Sequence, residues 1–270
     1  MLQAVSYYGS GTRSSQILLC TSLNSKWCGD WAIWQDTEIL FPSEDESTGL
    51  VRLAWSAFEF KEENFLQETA LEVLGEYLTD TSVADFQRTF IECEDPLAGG
   101  VYVSLEEFNP SQVAVTFSDV PTEKLSSLKS KLLEVLADLG NGTTPFDLTR
   151  LKTVLNRTRL DLLSAMEDHP EHVFADMCIR NYLYDKTGKE MASQFDFLSR
   201  IDALAAMDEK FWRDLVTRVF VSQPCVCVVG RPSAAKATEM EAAEKARIEA
   251  RKADLGEEKL KVGQSLNPKP

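Results

Sequence analysis

Histidine is almost missing from this chain: its 270 residues hold two, His169 and His172. No His-x-x-Glu-His stands anywhere, and that arrangement is what places two imidazoles one helical turn apart with a glutamate aimed at a metal-bound water. Long apolar runs are missing as well. Nowhere do about 18 uncharged apolar residues follow one another, which excludes a membrane-spanning helix. Met1 to Ser15 lack the basic start and apolar stretch of a secretion signal. Positive charge is scarce, with 28 Lys and Arg against 43 Asp and Glu and a net charge of -15. Such a surface repels nucleic acid and anionic lipid and favours cationic partners such as basic peptides. Cysteine is present six times, at 20, 28, 93, 178, 225 and 227, too scattered for a disulfide framework in a chain with ample core-forming residues. A reducing compartment follows, the cytoplasm first with the mitochondrion as the alternative, and the sequons at Asn141 and Asn156 are expected to stay unmodified.

What is present suits one main domain with a satellite segment. Residues 1–37 form a divergent N-terminal segment, with Tyr7, Tyr8, Trp27, Trp31 and Trp34 among turn formers. Residues 38–232 form the main domain, and 233–270 a charged linker helix and tail. Val51 to Phe58 alternate in the manner of a strand, and Phe65 to Leu78 repeat every three or four residues, predicting a helix on the sheet. Ser82 with Asp85 resembles a capping box for a short second helix through Phe90 and Ile91. Val101 to Leu105 and Val113 to Phe117 read as an antiparallel pair joined across Phe108-Asn109-Pro110-Ser111. A long leucine-striped helix is expected from Pro121 to a left-handed cap at Gly140-Asn141-Gly142. Four more helical stretches are expected over Asp147–Glu167, His169–Tyr184, Met191 to about Ile201, and Asp208–Val221. A last strand, Cys225–Val229, ends at Gly230-Arg231-Pro232, and Ala235–Asp254 reads as an exposed helix with too few apolar positions to anchor itself in a core. Together these give an α+β fold, a mostly antiparallel sheet covered by helices on one face.

The residues with chemical potential are few. In Asp168-His169-Pro170-Glu171-His172 the metal reading is weak, because Asp168 occupies the first histidine's place and Pro170 puts the segment in an open first helical turn. The preferred reading seats Asp168 or His169 at the helix N-terminus with Glu171 favourable to its dipole. Cys225 and Cys227 flank Val226 and share a strand face, where two small hydrophobic thiols in a core explain them better than a soft-metal pair. Gly9-Ser10-Gly11-Thr12 has neither a preceding strand nor a capped helix behind it and reads as a turn rather than a phosphate loop. The acidic runs Glu44-Asp45-Glu46 and Glu92-Cys93-Glu94-Asp95 read as solvated turns before they read as a cation surface. No catalytic, cofactor-binding or metal-ligating residue is assigned.

An ordered series of segments carries a resemblance. Phe41-Pro42-Ser43-Glu44-Asp45-Glu46-Ser47-Thr48-Gly49 is followed by Ala70-Leu71-Glu72-Val73-Leu74, Tyr77-Leu78-Thr79-Asp80, Glu94-Asp95-Pro96-Leu97, Phe117 to Leu125, and a closing stretch with Glu244 to Ile248, Arg251 and Leu255-Gly256. This order resembles the second domain of pitrilysin/insulinase-type zinc metallopeptidases, in the large single-chain branch related to presequence protease, over residues 38 to 265. The resemblance implies a non-catalytic domain that walls a peptide chamber, with zinc held only by a catalytic half outside this chain. Its implied partners are that half, or the remaining domains of a longer chain, and peptide substrates; neither nucleic acid nor membrane is expected. Because the zinc motif is missing, the chain alone is expected to be inactive. The alternative implied by the family's non-catalytic relatives is a stand-alone structural or partner-binding subunit, and a third reading has another chain supply the zinc half.

Overall fold

The computed structural model describes residues 36–185 and 191–266, with 257–266 described as backbone. Five strands form one sheet in the order β1-β5-β2-β4-β3. They are β1 (Thr37–Pro42), β2 (Thr48–Ser56), β3 (Gly100–Glu106), β4 (Gln112–Pro121) and β5 (Val226–Ser233). β3 and β4 form the expected hairpin, with Val103 opposite Val115, and β2 lies antiparallel to both β4 and β5. Among the described strands, only β1 with β5 is parallel. The fold is therefore α+β with a mostly antiparallel sheet, as the patterning indicates.

Alternation decides which side of the sheet is covered. Val51, Leu53 and Trp55 of β2 and Val113, Val115 and Phe117 of β4 all point to one face, and each is buried. Against them lie helix α1 (Phe65–Thr79) and helix α2 (Leu128–Asn141), whose Leu128, Leu132, Leu136 and Leu139 are fully buried at spacings of three and four. Each such leucine contributes roughly 2–3 kcal/mol by leaving water. Trp55 closes this core: its indole Nε1–H donates to the Phe220 carbonyl at 3.1 Å and its ring meets Phe220 edge-on.

Six further helices follow: α3 (Leu148–Asp168), α4 (Pro170–Tyr184), α5 (Met191–Phe195), α6 (Phe197–Ala205), α7 (Glu209–Val216) and α8 (Ala234–Leu266). Asp147 caps α3 by accepting from the amides of Thr149 and Arg150, and Asp208 caps α7 through the Phe211 amide. α2 ends at Gly142 with a φ of 81°, the left-handed cap that its glycine predicts. From Thr238 to Asp254, α8 is exposed and laced by pairs such as Glu241–Lys245 and Arg247–Glu244, which support a helix without burial.

Several expectations are corrected. Strand β1 was not foreseen, because its apolar core is only Ile39-Leu40-Phe41 and it follows no alternation long enough to read. Its pairing also extends β5 through Gly230-Arg231-Pro232, the stretch expected to end the strand. Pro232 is tolerated there because β5 has left β2 by Gly230 and keeps only β1 as neighbour among the described residues. Pro121 ends β4 rather than opening α2, and turns fill the gap to Leu128. Ser82 makes no cap; Asp85 instead faces Arg150 at 3.4 Å, and the segment widens into a π-helical turn at Gln87–Ile91. The helix expected from Met191 breaks at Asp196 into α5 and α6.

Candidate functional site

The most concentrated polar chemistry among the described residues lies where α1, α4, α5 and α6 meet. Glu68 sits three residues from both Phe65 and Leu71, on the inward row of α1, so forming the helix carries a carboxylate into the interior. Arg180 of α4 meets it: Nη2 donates to Glu68 Oε2 at 2.6 Å, with side chains 11% and 4% exposed. The guanidinium also lies over the Phe60 ring, 5.1 Å from its centre, and 3.8 Å from Glu107. A second guanidinium, Arg200 of α6, donates to Thr69 Oγ1 at 3.1 Å and to the carbonyls of Ser193 and Gln194. Between these groups is a pocket of about 30 Å³, with Glu72, Gln194 and Phe197 completing its wall. That volume is room for about one water.

Among the described residues, three buried atoms in this cluster have no hydrogen-bond partner: Glu68 Oε1, Arg180 Nε and Gln194 Oε1. Loss of solvent pushes the Glu68 carboxyl above the ordinary carboxylate range, and Arg180 opposes the shift without cancelling it. Glu72, one turn along α1, is exposed, and the nearby Glu68 carboxylate pushes it the same way. Burial also lowers Arg200. Two guanidiniums interleaved with carboxylates disfavour a bound cation, and the lining holds no imidazole, thiol or activated hydroxyl. The arrangement sets three carboxylates against two guanidiniums and reads as a joint between helices.

This joint is not legible in the sequence because its partners are 112 and 131 residues apart. One signal was available: a glutamate on the apolar row of α1 must find a partner or be protonated.

The residues singled out from sequence fall elsewhere and do not converge. His169 occupies the N-cap position of α4, but its side chain forms no cap hydrogen bond, and Asp168 accepts from Ser164 instead. Glu171 lies between the two imidazoles, 3.6 Å from His169 Nδ1 and 3.9 Å from His172 Nε2. The three could hold a metal ion by spacing, all within 4.8 Å of one another. They are 66–80% exposed, without the buried outer shell that orients a tight site. Cys227 is buried against the core and Cys225 packs beside it; burial raises both thiols, Cys227 to about 11, so neither is a ready nucleophile. In the first acidic run Asp45 accepts from the Ser47 amide while Glu46 Oε1 accepts from the Ala234 amide at 2.7 Å, capping α8. In the second, Asp95 pairs with Lys124. Gly9 to Thr12 lie outside the described residues.

The sheet face turned from the helices carries a polar ladder across three strands. Arg52 of β2 donates to Thr116 of β4 at 3.3 Å and to Glu106 of β3 at 2.6 Å, and Ser104 donates to the same carboxylate. Tyr102, opposite Thr116, stands 60% exposed on this face. No helix among the described residues is long and apolar enough to cross a membrane.

No family model matches the sequence. Among curated proteins, an uncharacterized protein of Saccharomyces cerevisiae is 30% identical over 228 residues, covering 84% of this chain and 21% of its own length. One of Schizosaccharomyces pombe is 31% identical over 72% of this chain and 18% of its own length, and one of Caenorhabditis elegans 29% over 83% and 22%. The chain thus spans about a fifth of the curated relatives it matches. Among solved structures, a protease from Helicobacter pylori matches 74% of this chain and 46% of its own with a TM-score of 0.57 at 14% identity. The inactive peptidase domain of a candidate zinc protease from Bordetella parapertussis matches 72% of this chain and 95% of its own, with a TM-score of 0.56 at 14% identity. A candidate M16-like peptidase from Alicyclobacillus acidocaldarius matches 74% and 44%, with a TM-score of 0.52 at 14% identity. The chain has the fold of M16-like (pitrilysin-type) peptidase domains, inactive ones among them.

Proposed function

We propose that this chain is a non-catalytic domain of an M16-type metallopeptidase assembly, walling a peptide chamber and supporting proteolysis only beside a zinc-bearing half. The observation that carries the reading is the match to 95% of an inactive peptidase domain by a chain that lacks His-x-x-Glu-His. Its most concentrated polar cluster agrees, with two guanidiniums against its carboxylates where a metal centre would need open ligands. The Arg52 ladder and Tyr102 give the opposite sheet face a polar, partly exposed surface suited to an extended peptide. Acidic charge would draw basic peptides to it.

The test is to find the native polypeptide with an antibody to this domain, measure its intact mass, and assay zinc and peptidase activity in the same preparation. A species far above 30.3 kDa, or a stable complex, that holds zinc and cleaves peptides is the expected result. A free 30.3 kDa protein without zinc or a catalytic companion would sink the proposal and favour a stand-alone binding protein.

A further inference from the structure

Helix α4 turns apolar side chains outward. Ala175, Cys178, Ile179, Tyr182 and Leu183 recur at spacings of three and four and so share one face, and every one is exposed, while Phe174 at the start of the stripe packs on Phe195 of α5. Ile179, Tyr182 and Leu183 keep 56%, 87% and 60% of their surface open. The helix's other face is engaged, with Met177 buried, Arg180 on Glu68, and the Tyr184 hydroxyl donating to the Glu107 carbonyl at 3.1 Å. The preceding helix continues the surface: Leu160 is 55% exposed, and no residue from Asn156 to Asp176 is buried. Single exposed apolar residues are ordinary, but a continuous stripe along a helix marks a contact surface.

Charge says what fits there. Between Leu160 and Ile179 the chain has no Lys or Arg and five acids, Asp161, Glu167, Asp168, Glu171 and Asp176. A second copy of the chain, meeting it through the same patch, would set these acids against their own kind, and an anionic lipid surface would be repelled. In the fungal and nematode relatives the matching stretch is 18–22% of the whole, so most of those polypeptides lies beside a domain of this kind.

We propose that the outward face of α3 and α4 docks a neighbouring domain of the same, longer polypeptide, through an apolar surface bordered by Lys and Arg. This rests on the reading of the chain as one part of a larger peptidase. It is distinct from the chamber-wall role, which uses the opposite side of the sheet.

The experiment places photoreactive benzoylphenylalanine at position 182 of the native-length protein in its own source, irradiates, and identifies the joined peptide by mass spectrometry. The expected product links Tyr182's position to a segment of the same polypeptide outside residues 1–270, apolar and flanked by Lys or Arg. The double variant Ile179→Glu/Leu183→Glu should lower that yield at least about tenfold, since a charge in an apolar contact removes its anchor, while leaving the melting temperature of the 270-residue chain unchanged. Cross-links to a second copy, to lipid or to an unrelated protein overturn the proposal. So does a yield no higher than that from the exposed control position Glu249. If the native polypeptide proves to be 30.3 kDa, the larger-peptidase reading falls with it; if it is long and position 182 joins nothing, this proposal alone falls.

Discussion

Glu68 and Arg180 form a buried ion pair that spans 112 residues of sequence, 2.6 Å apart, and ties α4 to α1 through one carboxylate oxygen while the other oxygen has no partner. A pair of this kind does not have to stabilise the fold, because desolvating two charges offsets most of their attraction. What it fixes is orientation. With Arg180 drawn inward, Ile179, Tyr182 and Leu183 are left facing out.

Arg180→Met should therefore cost more than the pair itself contributes, because it strands a carboxylate 4% exposed. We expect a loss of about 3–5 kcal/mol in urea denaturation. Glu68→Leu combined with Arg180→Met should recover most of it. A single variant as stable as the parent would show that water already compensates Glu68.

The same carboxylates set a pH dependence. Burial raises Glu68 and Asp85 above their ordinary 4.5 and 3.8. The folded chain then holds these protons more tightly than the unfolded chain. Their contribution is complete below the unfolded values and is lost as pH rises through the folded ones. Exposed Glu38, Asp45, Glu241 and Glu244 are shifted the other way, so their contribution is lost as pH falls below the ordinary range. Unfolding free energy, followed by denaturant titration, should fall as pH rises above about 4.5, and Glu68→Gln should flatten that slope. An unchanged slope would assign it to general acidic repulsion instead.

Most of the sheet and the leucine-striped α2 could be read from the chain because alternation and three-four spacing report burial directly. Gly140-Asn141-Gly142 announced its cap because few residues other than glycine adopt a φ of 81°. Strand β1 could not be read, since three apolar residues carry no period and its pairing with β5 is set by residues almost 200 positions away. The Glu68–Arg180 joint was hidden for the same reason. Conversely, His169, Glu171 and His172 drew notice through residue type, and their exposure shows how little that type says without an enclosing structure.

Gly49 offers a check on the register of β2 against β5. A Cβ built there would stand 2.4 Å from the Gly230 carbonyl oxygen, a backbone atom that cannot swing aside, and 3.0 Å from Leu125. Gly49→Ala should force the strands apart and cost about 1–3 kcal/mol. Melting by circular dichroism is the readout, and parental stability in this variant would mean that the two strands do not approach as described.

Zinc binding at the junction of α3 and α4 tests whether convergence alone makes a site. His169, Glu171 and His172 offer three donors within 4.8 Å of one another, but each side chain is 66–80% exposed. Binding must then immobilise three solvated side chains without help from a buried outer shell, and lost outer-shell support typically weakens a site about 10–100-fold. Equimolar Zn²⁺ added at roughly 10 µM protein should leave most chains unoccupied by calorimetry, with the residual heat removed by His172→Ala. Stoichiometric binding under those conditions, lost in the same variant, would instead make this junction a metal site and bring a cation to the acidic end of the α4 surface.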